Sequence, residues 1–256
     1  MSTRNRMALI GLAITMAACG GGGREAVVGS FPGSPPPPPP TNVGGVWEGS
    51  MFNNNSGLTF EAIGVAVENS RDGRLANDQG LQFRLGSISG SAGDVSAGVT
   101  AMAPPGTAFM DGSTTTFGQL TGTVVEHTSF DGEWSLNSGE TGTITMSYNA
   151  LYERGSDLAR TVGSWMDSFG VVYNIDATGI VFAQDAFGCV YDGAVEILYA
   201  SYNAYAVTLT VSNCPGTNGT YFGRGVLADE VGTDDAFVIL LDNNGQISMT
   251  DVLLKL

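Results

Sequence analysis

The sequence predicts an all-β protein: an antiparallel up-and-down meander forming barrel- or sandwich-like modules, set behind a disordered Gly/Pro-rich tether. Three observations carry this. Short β-prone runs recur from Gly45 onward, punctuated by Gly, Asn, Asp and Ser. No long stretch places apolar residues at helical spacing. Asp-Gly and Asn-Gly pairs fall where tight hairpins need residues that accept positive φ. The chain has 256 residues, 43% of them apolar, which is enough to bury a core and excludes disorder throughout.

In chain order, strands are expected at Val46–Phe52, Ala62–Glu68, Leu81–Leu85, Thr121–His127, Glu133–Leu136 and Thr143–Leu151. The second half adds Val171–Ile175, Ile180–Gln184, Gly188–Tyr191, Tyr205–Ser212, Tyr221–Ala228, Phe237–Leu241 and Ile247–Leu254. Hairpin turns are expected at Arg71-Asp72-Gly73-Arg74, Phe130-Asp131-Gly132-Glu133 and Asp242-Asn243-Asn244-Gly245. Strands joined this way run antiparallel, so a meander is the economical topology. Helix is expected only as short turns, near Ser156–Thr161.

The first residues carry a different signal. Arg4 and Arg6 precede an uncharged, mostly apolar run of 12 residues, Met7 to Ala18, with small residues ahead of Cys19. This pattern reads as a secretory signal peptide over 1–18, since a spanning helix needs about 18 to 20 apolar residues. Met16-Ala17-Ala18-Cys19 resembles the lipobox of bacterial lipoproteins, with Met16 keeping the apolar bulk of the usual Leu. The resemblance implies that Cys19 is acylated and becomes the new N-terminus, so the membrane is a partner through that lipid. In that family Gly20, in place of an Asp, implies an outer-membrane destination in a two-membrane bacterium. Residues 19–44, with Gly20–Gly23 and Pro35–Pro40, lack hydrophobic periodicity and read as the tether, the prolines extending by about 3.1 Å each.

The charge balance excludes one class of partner. All 25 acidic residues lie beyond Ala18, against 10 basic ones of which Arg4 and Arg6 precede it, and the formal net charge is -15. Phosphate backbones are bound by clustered Lys and Arg. The chain has a single lysine, Lys255, and no basic run, so nucleic acid is not an expected partner.

An internal repeat divides the body at about Arg154–Leu158 into modules over 45–155 and 156–256. Placing Gly73 over Gly179 matches Leu75 with Val181, and small gaps match Gly80 with Gly188, Phe83 with Tyr191 and Ile88 with Val195. Each copy follows a Gly-x-Trp, at Gly45-Val46-Trp47 and Gly163-Ser164-Trp165. These features, with the linking Tyr152-Glu153-Arg154-Gly155-Ser156, resemble Gly-rich β lipoproteins of proteobacteria. That resemblance implies location and fold.

Chemistry-bearing residues are sparse. Cys189 and Cys214 remain as an even pair in an oxidising compartment and read as a disulfide, with two buried thiols as the alternative. His127, the single histidine, is the obligatory base of any Ser-His-Asp or Cys-His mechanism, or else a hydrogen-bonded strand residue. Glu48 and Glu133 adjoin Trp47 and Trp134, the setting of a two-carboxylate glycosidase, although strand alternation turns each Glu to water and each Trp to the core. Gly223-Arg224-Gly225-Val226-Leu227-Ala228 fits a dinucleotide fingerprint without the following helix, so no cofactor is expected. Asp242-Asn243-Asn244-Gly245 and Asp234-Asp235 give thin calcium-loop signals, and no metal site is expected. Tyr199, Tyr202 and Tyr205, around Asn203, form an exposed aromatic patch or line a sheet.

With no catalytic residue assigned, the expected function is a non-enzymatic, outer-membrane-anchored role in binding an envelope protein or in envelope structure. Two alternatives remain: a lipocalin-like barrel carrying a small apolar ligand, a resemblance resting on Gly-x-Trp alone, and a hydrolase using Glu48 or Glu133. Large side chains filling the barrel would count against a carrier.

Overall fold

The computed structural model describes residues 40–68 and 70–256. The expected signal peptide, the lipobox-like segment with Cys19 and the expected tether up to residue 39 lie outside them. The last tether residues, 40–44, are held on the sheet, contrary to a tether disordered to residue 44. Thr41 N–H donates to Gly90 O at 3.2 Å, and Asn42 donates through its backbone to Glu126 and through its amide to Glu68.

The body is all-β and antiparallel. The first barrel comprises β1 (Gly45–Asn53), β2 (Leu58–Ala66), β3 (Gly73–Asn77), β4 (Gln82–Ser91), β5 (Asp94–Met102), β6 (Thr115–Val125), β7 (Ser129–Leu136) and β8 (Thr141–Asn149). Each strand pairs with the next and β8 returns to β1, so the sheet closes as a barrel, not a sandwich. A 3-10 turn (Ala150–Arg154) and helix α1 (Leu158–Thr161) lead into the second barrel. Its strands are β9 (Gly163–Met166), β10 (Val172–Ile175), β11 (Ile180–Gln184), β12 (Val190–Ile197), β13 (Tyr205–Ser212), β14 (Gly219–Ala228), β15 (Ala236–Asp242) and β16 (Ser248–Lys255), with β16 closing on β9.

Every expected strand has a counterpart, but β3, β5 and β9 were not anticipated as strands. In β5 the inward positions are only Val95, Ala97, Val99 and Ala101, a weak apolar alternation. Asp131-Gly132 is not a turn. It lies inside β7, where Gly132 sits against the Phe130 ring. The chain reverses instead at Glu126–Thr128, with His127 at φ 51, so His127 is a turn residue and not the end of a strand.

The aligned repeat segments occupy equivalent places. Leu75 and Val181 lie on the third strand of their barrels, Phe83 and Tyr191 on the fourth. The two Gly-x-Trp tryptophans open the first strand of each barrel and make the same bond. Trp47 Nε1–H donates to Val43 O at 3.1 Å, and Trp165 Nε1–H to Thr161 O at 2.7 Å.

Strand alternation sends one face of each sheet inward. The first interior holds Trp47, Met51, Phe83, Phe130, Trp134 and Ile144, and the second Trp165, Tyr173, Tyr205, Tyr221, Phe237 and Leu241. Large rings need small opposites. A Cβ at Gly142, paired with Trp134, would lie 2.4 Å from Trp134 Cζ2, so the indole occupies the space a side chain would take.

The barrels pack side against side. Strands β3 and β15 are buried along their whole length, because their outward faces meet across the junction. Val46, Val65 and Ala76 join Val226, Val238 and Leu240 in one apolar cluster with Tyr152 of the 3-10 turn. Tyr152 stacks on Tyr202 at 4.7 Å and accepts a hydrogen bond from Glu68 N–H.

Candidate functional site

The cysteines expected to pair do so: Cys189, just before β12, is bonded to Cys214 in the β13–β14 turn. Asp185 lies beside them, and its ligand-type atom and the two sulfurs fall within 4.8 Å of one another. Both sulfurs are spent on the disulfide, so no thiolate remains to hold a metal.

Most of the acids singled out as calcium signals are already paired. Asp242, 1% exposed, takes Arg74 at 2.9 Å and Arg84 at 3.4 Å, and its Oδ1 accepts from Gly245 N–H. Asp234 accepts from Nε and Nη2 of Arg160, and Asp229 from Arg154. These guanidiniums hold both carboxyls low, Asp229 at about 2. Asp235 accepts three backbone N–H groups of its own loop, from Glu230, Val231 and Gly232.

His127 is half exposed, stacks on Tyr148 at 4.7 Å and approaches Glu153 at 3.4 Å. Tyr148 O–H donates to the same carboxylate, and its own titration is pushed up, first by burial.

Glu48 and Glu133 both point outward while Trp47 and Trp134 point in. Through the pairing Glu133–Thr143–Phe52 they stand four residues along and two strands across. That is about 16 Å from strand geometry, whereas paired glycosidase carboxylates stand ~5–9.5 Å apart. Gly223–Ala228 lies within β14 and opens no helix. Of the three tyrosines, only Tyr199 is exposed: Tyr202 packs at the barrel junction and Tyr205 is enclosed in the second barrel, its O–H donating to Asp157 O. The aromatic patch is thus mostly interior.

Among the described residues, two concavities of the first barrel bear on function. A void of about 60 Å³ lies inside the first barrel, walled by Trp47, Leu75, Val95, Leu120, Phe130 and Met146. A groove of about 350 Å³ lies outside it, over β6, β7 and β8, with Gln119, Glu133 and Thr143 among its walls and Trp134 at its floor. The sequence had marked Glu133 and Trp134, but not their neighbours, which strand register alone brings alongside.

Comparison with protein-family models, with curated proteins and with solved structures finds no match.

Proposed function

We propose that this chain is a lipid-anchored, non-catalytic binding protein of the bacterial outer membrane, whose barrels work through their outer surfaces. The observation that carries this is the filling of the interiors. Trp165, Tyr205, Tyr221 and Phe237 are almost wholly buried in the second barrel. The first retains about 60 Å³, less than half of the ~150 Å³ that accommodates a benzene. A lipocalin-like carrier of a small apolar ligand, the second reading, needs a larger hollow.

Anchoring rests on the lipobox at Cys19, and the exterior of the first barrel suits a protein held beside the membrane, not in it. Outward positions on β6–β8 are mostly polar, among them Thr121, Thr123, Asp131, Glu133, Thr143 and Thr145, with Phe117 and Val125 as apolar exceptions. Such a face is unlike the apolar band of a membrane barrel.

Crosslinking of the full lipidated chain in intact cells, followed by mass spectrometry, tests the reading. A reproducible envelope partner is expected. No partner in any growth condition, together with a stoichiometric small molecule retained in native mass spectrometry, would transfer the assignment to the carrier.

A further inference from the structure

The groove on the first barrel presents exposed hydrogen-bonding groups from three neighbouring strands. Thr121 on β6, Glu133 on β7 and Thr143 on β8 stand directly opposite one another, with Gln119 two residues along β6, all exposed. Among the described residues, none of these four side chains is hydrogen-bonded to another protein group, while Asn54 at the groove's end donates to Thr141. By contrast, Asp229 and Asp234 are tied to arginines and Asp235 to turn amides.

We infer that this groove binds a neutral, hydroxyl-rich oligosaccharide. The volume of about 350 Å³ falls in the range of small-ligand clefts, but its walls are amide, hydroxyl and carboxylate, not hydrocarbon. A ligand taken there must offer donors and acceptors along its length, because each polar group desolvated without a partner costs affinity. A saccharide does so, and it also has apolar C–H faces. Phe52, 36% exposed beside Thr143, and Phe117, 63% exposed two residues before Gln119, flank the polar rows and supply aromatic surface. The charge selects within the class. Glu133, with Asp131 two residues away, sits on a chain of net charge -15, which disfavours phosphorylated, sulfated or uronic-acid glycans.

This rests on the reading of the protein as an outer-surface binder, and it supplies the chemical class of what is bound. The test is a glycan array carrying neutral, N-acetylated and acidic saccharides, probed with the purified full chain in detergent. Binding to neutral or N-acetylated glycans is expected. It should weaken by roughly fivefold or more, the weight of one lost hydrogen bond, in Gln119→Ala/Glu133→Ala. It should be unchanged in Asp192→Asn, an exposed site on the second barrel. Thermal melts keep folding defects apart from binding defects. A blank array, a preference for acidic glycans, or binding indifferent to the groove variant would each overturn the inference. A blank array alongside a crosslinked protein partner would remove the saccharide alone, whereas a blank array and no partner would remove the binding reading as well.

Discussion

Arg74 of the first barrel and Asp242 of the second lie 2.9 Å apart, with side chains 9% and 1% exposed. Arg84 joins the same carboxylate, and nearby Arg224 pairs with Asp72 at 2.8 Å, so the junction has a charged centre beside its apolar cluster. Burial pushes the Arg74 guanidinium down, and the Asp242 carboxylate pushes it back up.

Removing one member of this pair strands the other. Arg74→Ala is expected to cost about 3–5 kcal/mol, and Arg74→Met with Asp242→Leu to recover much of it, because a well-packed apolar pair avoids the desolvation penalty. Urea denaturation of the single and double variants checks this. A double variant no better than the worse single would contradict it.

The Arg154–Asp229 and Arg160–Asp234 contacts predict acid sensitivity. Both carboxyls titrate lower in the folded protein than in the unfolded chain, held by hydrogen bonds from the guanidiniums. Their stabilisation is therefore complete above about pH 5 and drains away as pH falls toward about 2. Asp234→Asn should flatten the fall of Tm between those limits.

Asp251 predicts the opposite sign. Burial raises its carboxyl, so the folded chain holds the proton more tightly and ionisation opposes folding as pH rises through that value. Asp251→Asn is expected to raise Tm at pH 7 and to leave it nearly unchanged at pH 3. Equal shifts at both pH values would rule out the charge as the cause.

The Cys189–Cys214 bond closes a span with a sequence separation of 25. By loop-closure entropy it stabilises the fold by about 3.5 kcal/mol. Cys189→Ser with Cys214→Ser should lose an amount of that order in denaturant titrations, and should gain no metal affinity.

Gly142 offers a packing test. Gly142→Val places its Cβ 2.0 Å from the Phe52 carbonyl oxygen as well as 2.4 Å from the Trp134 ring, and overpacking of this kind costs ~1–3 kcal/mol. A shift of tryptophan emission with the loss of stability is the expected signature. Retention of both would show that the indole has room to move.

The sequence by itself determined the all-β class and pointed to the meander, the Cys189–Cys214 pairing and the outward aim of Glu48 and Glu133, which the structure bears out. All of these follow from local rules: alternation with a period of two, turn residues and the parity of cysteines. Even the barrel junction left a trace, since Phe237–Leu241 is an unbroken apolar run, the mark of a strand covered on both faces. Tertiary structure alone decided which side chains meet. Arg74 and Asp242 are remote in sequence, and Gln119, Glu133 and Thr143 become one wall only through pairing across β6, β7 and β8. His127 moved from strand to turn because the true reversal lay beside it, and Gly132 served packing under Phe130 instead of a bend. Closure into a barrel was equally beyond local reading. It depends on β8 finding β1 and β16 finding β9, which no local pattern encodes.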